Sequence, residues 1–146
     1  MLILLALPFL AMGADKGGGT FYLQLIRGTD DAKPPAPEAR LAGLKVSRRL
    51  QMFKWTHYWE VARRKVVIEP GGKTRQRMSP QREVEISFSA PREMTVCIYA
   101  DGKLARRRKQ SQDTPFYIAG GDKEDNQSWF IVVRRDKPPG EMANLN

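Results

Sequence analysis

The chain has 146 residues, enough for one compact domain with a single core, and it sets 25 Lys and Arg against 16 Asp and Glu, a formal net charge of +9 at pH 7. One cysteine, Cys97, excludes an internal disulfide framework, and one histidine, His57, excludes a His-rich metal site and routes any Ser-His or Cys-His nucleophile through that residue. The basic balance favours acidic partners such as an acidic protein, nucleic acid, an anionic glycan or lipid head groups, without choosing among them.

The first element is an apolar run from Leu2 to Ala14, interrupted at Pro8 and stopped by Asp15-Lys16-Gly17. It is shorter than the roughly 20 apolar residues that span a bilayer core. Ala11-Met12-Gly13 supplies the small-x-small pattern of a cleavage site, although no Lys or Arg precedes the run. Residues 1–14 are therefore expected to be a signal peptide, and the mature protein to be periplasmic or secreted with no stable transmembrane anchor. A buried first strand or helix is the competing reading. No charged side chain is lost with residues 1–14, so the mature chain keeps the full +9. Residues 15–137 then read as a single β-rich domain and residues 138–146 as a flexible tail.

In Thr20 to Arg27, residues Phe21, Leu23 and Leu25 share one parity, which predicts a half-buried strand. Gly28 to Asp31 ends it, and within the Pro-rich connector 28–39 the segment Ala32 to Pro37 is expected to be stiff and extended and not to pair as a central strand. Val46, Leu50 and Phe53 recur at i, i+4 and i+7, so a short amphipathic helix is expected over 40–53. Tyr58 to Glu69 follows as a strand ending at Pro70-Gly71-Gly72, then Lys73 to Met78 as a short polar strand.

Val84, Ile86 and Phe88 alternate with Glu83, Glu85 and Ser87, a clean one-sided strand. Met94 to Ala100 is apolar on both parities and is expected to be central, with Cys97 as a small buried residue. Asp101-Gly102 marks a two-residue hairpin into the basic strand Lys103 to Lys109. Phe116 to Ala119 and Trp129 to Arg134 complete the set, with Gly120 to Gln127 as a hydrophilic loop between them. About eight short strands with one short N-terminal helix predict a mainly β protein, an antiparallel sandwich or small barrel.

Catalytic signals are weak. Glu60, Glu69, Glu83 and Glu85 supply carboxylates for a hydrolase pair, but Glu83 and Glu85 sit on the solvent parity of their strand. A meeting of His57 with Cys97 has no support in their spacing. The acidic run Asp122 to Asn126 lacks an EF-hand spacing and contains Lys123, so no metal or cofactor is expected. No motif is specific enough to assign a family.

The expected binding patch combines the aromatic segment Trp55, His57, Tyr58 and Trp59 with Arg63, Arg64 and Lys65 and with the run Arg106, Arg107 and Arg108. On a strand these rings point both ways and do not fit one core face, so some ring area is expected at the surface; the competing reading is that Trp55, Trp59 and Trp129 plug a sandwich core. These features predict a non-catalytic exported domain that docks on an acidic partner, most simply a protein of the bacterial envelope. The alternatives are a polyanion-binding barrel and a small secreted hydrolase.

Overall fold

The computed structural model describes residues 17–89 and 92–140; the apolar run 1–14 and the last part of the tail, 141–146, lie outside the described residues. In chain order the strands are β1 (Gly19–Thr29), β2 (Arg40–Leu41), β3 (His57–Ile68), β4 (Lys73–Arg77), β5 (Arg82–Ser89), β6 (Glu93–Ala100), β7 (Lys103–Ser111), β8 (Phe116–Glu124) and β9 (Gln127–Arg134). Between β2 and β3 lie the helix α1 (Leu44–Arg49) and a single 3-10 turn, Gln51–Phe53. The strands form two antiparallel sheets, ordered β2-β3-β1-β9-β8 and β4-β5-β6-β7. Among the described residues the sheets are not paired to each other at any edge, so the architecture is a sandwich and not the small barrel that the strand count also allowed.

Between the sheets lies the main core. Phe21, Leu23 and Leu25 of β1, with Ile131 and Val133 of β9, face Val84, Ile86 and Phe88 of β5 and Met94, Val96 and Ile98 of β6. Each fully buried side chain of this kind contributes about 1.5–3 kcal/mol. As expected, β6 is internal to its sheet, and Asp101 and Gly102 take positive φ in the β6–β7 turn.

A second, smaller cluster lies on the other face of the five-stranded sheet. There Val46 and Leu50 pack onto Ile26, Tyr58, Phe116, Phe130 and Val132. The helical segment therefore buries β1 on both faces, and β1 is not the half-buried strand its period-2 pattern predicts: Gln24 and Ile26 are as buried as their neighbours. The helix itself begins later than expected, at Leu44, because Arg40 and Leu41 pair with Glu60 and Trp59 of β3. It is closed by the 3-10 turn and by Lys54 in the left-handed region.

Two further expectations change. The hydrophilic stretch 120–127 is mostly strand, because Asp125 and Asn126 at positive φ make a tight turn between β8 and β9, and an irregularity between Gly120 and Lys123 absorbs the extra residues. The tail is also held at its start. The Arg63 guanidinium donates to three successive carbonyls, those of Pro138 (3.4 Å), Pro139 (3.0 Å) and Gly140 (2.8 Å).

Candidate functional site

The aromatic segment does not form a surface patch. Tyr58 and Trp59 are buried, one on each face of the five-stranded sheet, because both faces of that sheet are covered there, while Trp55 and His57 stay half-buried and keep part of their ring area at the surface. Tyr58 donates its hydroxyl to the Leu50 carbonyl at 2.6 Å, which pins the helical segment, and burial pushes its phenol above the usual range. Trp59 donates Nε1 to the Asp31 carbonyl at 3.4 Å. His57 stacks on Trp59, ring centroids 6.0 Å apart, and Trp55 lies half-buried against Gly28, where an added Cβ would come within 2.6 Å of the indole.

Nor do Arg63, Arg64 and Lys65 act together. Arg63 is buried and committed to Glu60 and the tail carbonyls, which removes it from any docking surface. Arg64 is half-buried beside the gap between the sheets, and Lys65 is exposed. The run Arg106 to Arg108 is likewise split by the period of the strand. Arg106 and Arg108 turn towards β8, where Arg106 pairs with Asp122 at 2.7 Å and Arg108 lies 5.4 Å from the Tyr117 ring centroid. Arg107 and Lys109 take the opposite, outer face.

That outer face is where the basic side chains collect. The register builds the rows Lys73–Ser87–Thr95–Lys109, Arg75–Glu85–Cys97–Arg107 and Arg77–Glu83–Tyr99–Leu104 across β4 to β7. Lys73, Arg75, Arg77, Arg107 and Lys109 are exposed, whereas the Glu85 and Glu83 side chains are only 14% and 20% exposed. The carboxylates lie low and the cations reach over them: Arg75 and Arg77 meet Glu83 at 2.5 and 2.6 Å, Lys73 meets Glu85 at 3.7 Å, and Lys109 meets Glu93 at 3.7 Å at the margin. Arg75 also stacks on Tyr99, 3.8 Å from the ring centroid. Solvent-facing charge on this face is therefore positive.

Cys97 is buried as expected, yet not in the core. It lies on this same outer face, covered by the side chains around it, between Glu85 and Arg107 in the register. The Lys-x-Arg-x-Arg spacing of residues 73–77, opposite Glu-x-Glu at 83–85, is the signal that locates this face; it becomes a surface only once β4 and β5 are paired in that register.

Of the four glutamates considered for hydrolysis, Glu60, Glu83 and Glu85 are each bound to a cation and Glu69 is exposed in a turn. Among the described residues no group of three or more His, Cys, Asp or Glu is arranged to hold a metal ion. Comparison with protein-family models, with curated proteins and with solved structures finds no match to this chain.

Proposed function

We propose that this chain is a non-catalytic, exported β-sandwich domain that binds an acidic partner, a protein of the bacterial envelope, by laying the outer face of β4 to β7 against it. One observation carries the reading: five exposed cations share a sheet face whose central carboxylates, Glu83 and Glu85, lie beneath them, with Glu93 alone reaching solvent at the margin. Such an array attracts an acidic surface over about 8–10 Å at ordinary salt and fixes its register by local pairing. Export is supported by the apolar run and the small residues that follow it.

Two measurements test this. Poly-L-glutamate serves as the probe for an acidic protein chain and heparin for a sulfated polymer, each titrated against the folded domain at low and high salt. Binding to poly-L-glutamate that weakens steeply with salt and falls about tenfold in Arg75→Glu/Arg107→Glu supports the reading. Binding to heparin alone transfers it to the polyanion alternative, and binding indifferent to both salt and the double reversal overturns it. For export, mass spectrometry of the natural N-terminus decides: a start near Ala14 or Asp15 supports it, and an intact Met1 overturns it.

A further inference from the structure

On the β3 side the two sheets part, and a cleft of about 720 Å³ opens between β3, the proline-rich connector and the turn from β4 to β5. This is well within the size of small-molecule sites, about 300–1,000 Å³. Its floor is apolar, built from Leu25, Val61, Ala62 and Met78, with the Trp129 indole at one side. Its charged lining is unbalanced: Arg27, Arg63, Arg64 and Arg77 line it against the single carboxylate of Glu38, and Arg63 is already paired with Glu60.

These arginines differ in how they are engaged. Arg77 is tied to Glu83 and to the Pro80 carbonyl, and Arg64 donates to the carbonyl of Arg63. Arg27 makes no hydrogen bond or ion pair among the described residues, and its Nε is buried without an acceptor. Arg27 stands opposite Trp59 on β3 and Trp129 on β9, with its Cζ 5.9 Å from the Trp129 ring centroid, and it also borders a second cleft lined by Asp30, Asp31 and Asp125, none of which it meets in an ion pair. In the next row, His57 and Gln127 stand opposite Thr29, and His57 Nδ1 and Gln127 Oε1 are also buried without partners. Three of the five such atoms among the described residues thus fall in two adjacent rows, so the polar imbalance belongs to this end of the sandwich.

A half-buried cation without a partner is costly, and a carboxylate offsets that cost through charge-assisted bonds from the guanidinium fork. We propose that this cleft is a second binding site, sharing only Arg77 with the outer basic face, and that its ligand is a small monocarboxylate on an apolar body. Arg27 receives the carboxylate, with Arg64 as the supporting charge. Leu25, Val61, Ala62, Met78 and Trp129 take the apolar body. Glu38 opposes a second negative charge and so disfavours phosphates and dicarboxylates.

The test uses dodecanoate and, as its uncharged counterpart, dodecanol, both below the concentrations at which they aggregate. Binding is read by calorimetry and by tryptophan fluorescence. Dodecanoate is expected to bind saturably and at least about tenfold more tightly than dodecanol. Arg27→Met should remove that preference while poly-L-glutamate binding at the outer face stays unchanged. Should Arg27→Met fail to fold, Arg27→Lys should retain part of the preference, and Ala36→Trp, which fills the cleft from the connector, should weaken both ligands. Equal binding of the two probes, an unaltered preference in the Arg27 variants, or no saturable binding overturns the proposal.

Discussion

Glu60 and Arg63, three residues apart on β3, close on each other on the same face of the sheet, with Nη2 2.6 Å from Oε1 and Nε 3.2 Å from Oε2. A regular strand would send them to opposite faces. The register explains the meeting: Leu25 pairs with Ala62 and Ile26 with Glu60, so Val61 is the extra residue of a bulge that turns Arg63 onto the Glu60 side. Gln24 donates to the same carboxylate and Arg134 donates to Gln24 at 3.2 Å, so the pair sits in a buried polar network.

Removing one partner of this pair leaves the other charged and buried. Arg63→Met is expected to lower unfolding free energy by about 3–5 kcal/mol, measured by urea denaturation, whereas Glu60→Met/Arg63→Met should recover most of the loss because a buried pair is often replaceable by apolar groups. The single variant should also release residues 138–140, detectable as faster amide exchange or proteolysis after β9.

Acid should weaken the link between β9 and the helix. Hydrogen bonds from Arg134, and then from Lys45, hold the Asp136 carboxyl well below its ordinary value of 3.8. A depressed folded-state pKa contributes stability that is present above the unfolded value and lost as pH falls below it. The urea midpoint of the wild type is therefore expected to exceed that of Asp136→Asn at pH 6, and the gap should close progressively below about pH 4. A gap that persists unchanged at pH 3 would show that the Asp136 charge contributes nothing.

The β8–β9 hairpin depends on a glycine. Gly120 has φ +113°, and a Cβ there would lie 2.2 Å from the Trp129 carbonyl oxygen. Gly102, at φ +77°, has open space around it. Gly120→Ala is thus expected to cost at least about 1–3 kcal/mol, and more than Gly102→Ala, in thermal denaturation. Equal losses would place the cost in backbone conformation alone.

Alternation along β7 makes a sharper statement about docking. Arg107→Glu and Lys109→Glu should each weaken poly-L-glutamate binding several-fold, because both side chains lie on the outer face. Arg106→Gln and Arg108→Gln should change binding little and instead loosen the contact with Asp122 and Tyr117 of β8, read as a lower midpoint of thermal unfolding. Four equal effects on binding would mean that net charge, and not the face, matters.

Much of the local structure was legible in the amino-acid order. Val84, Ile86 and Phe88 alternate with polar residues because only one face of β5 meets the core, and Asp101-Gly102 turns the chain because both residues tolerate positive φ. Strand content, the antiparallel mainly β class, and the central place of Met94 to Ala100 follow from such period-2 patterns and turns, whereas the choice of sandwich over small barrel does not. The binding patch was not legible in the same way. Trp55 to Trp59 looked too aromatic for one core face, and the missing fact was a second apolar cluster, brought by Val46 and Leu50 across the sheet.

What the sequence determines on its own is what acts within a few residues: alternation, turn chemistry, a net charge of +9, and the lack of a second cysteine or histidine. What only the tertiary structure decides is which of those residues face each other. Pairing register divides Arg106 to Lys109 between two faces, a single bulged residue brings Glu60 to Arg63, and the pairing of β1 with β3 and β9 sets Arg27 opposite Trp59 and Trp129 with no ion pair among the described residues. Each of these depends on contacts between residues remote in the chain, and local preference carries no information about the partner across the sheet.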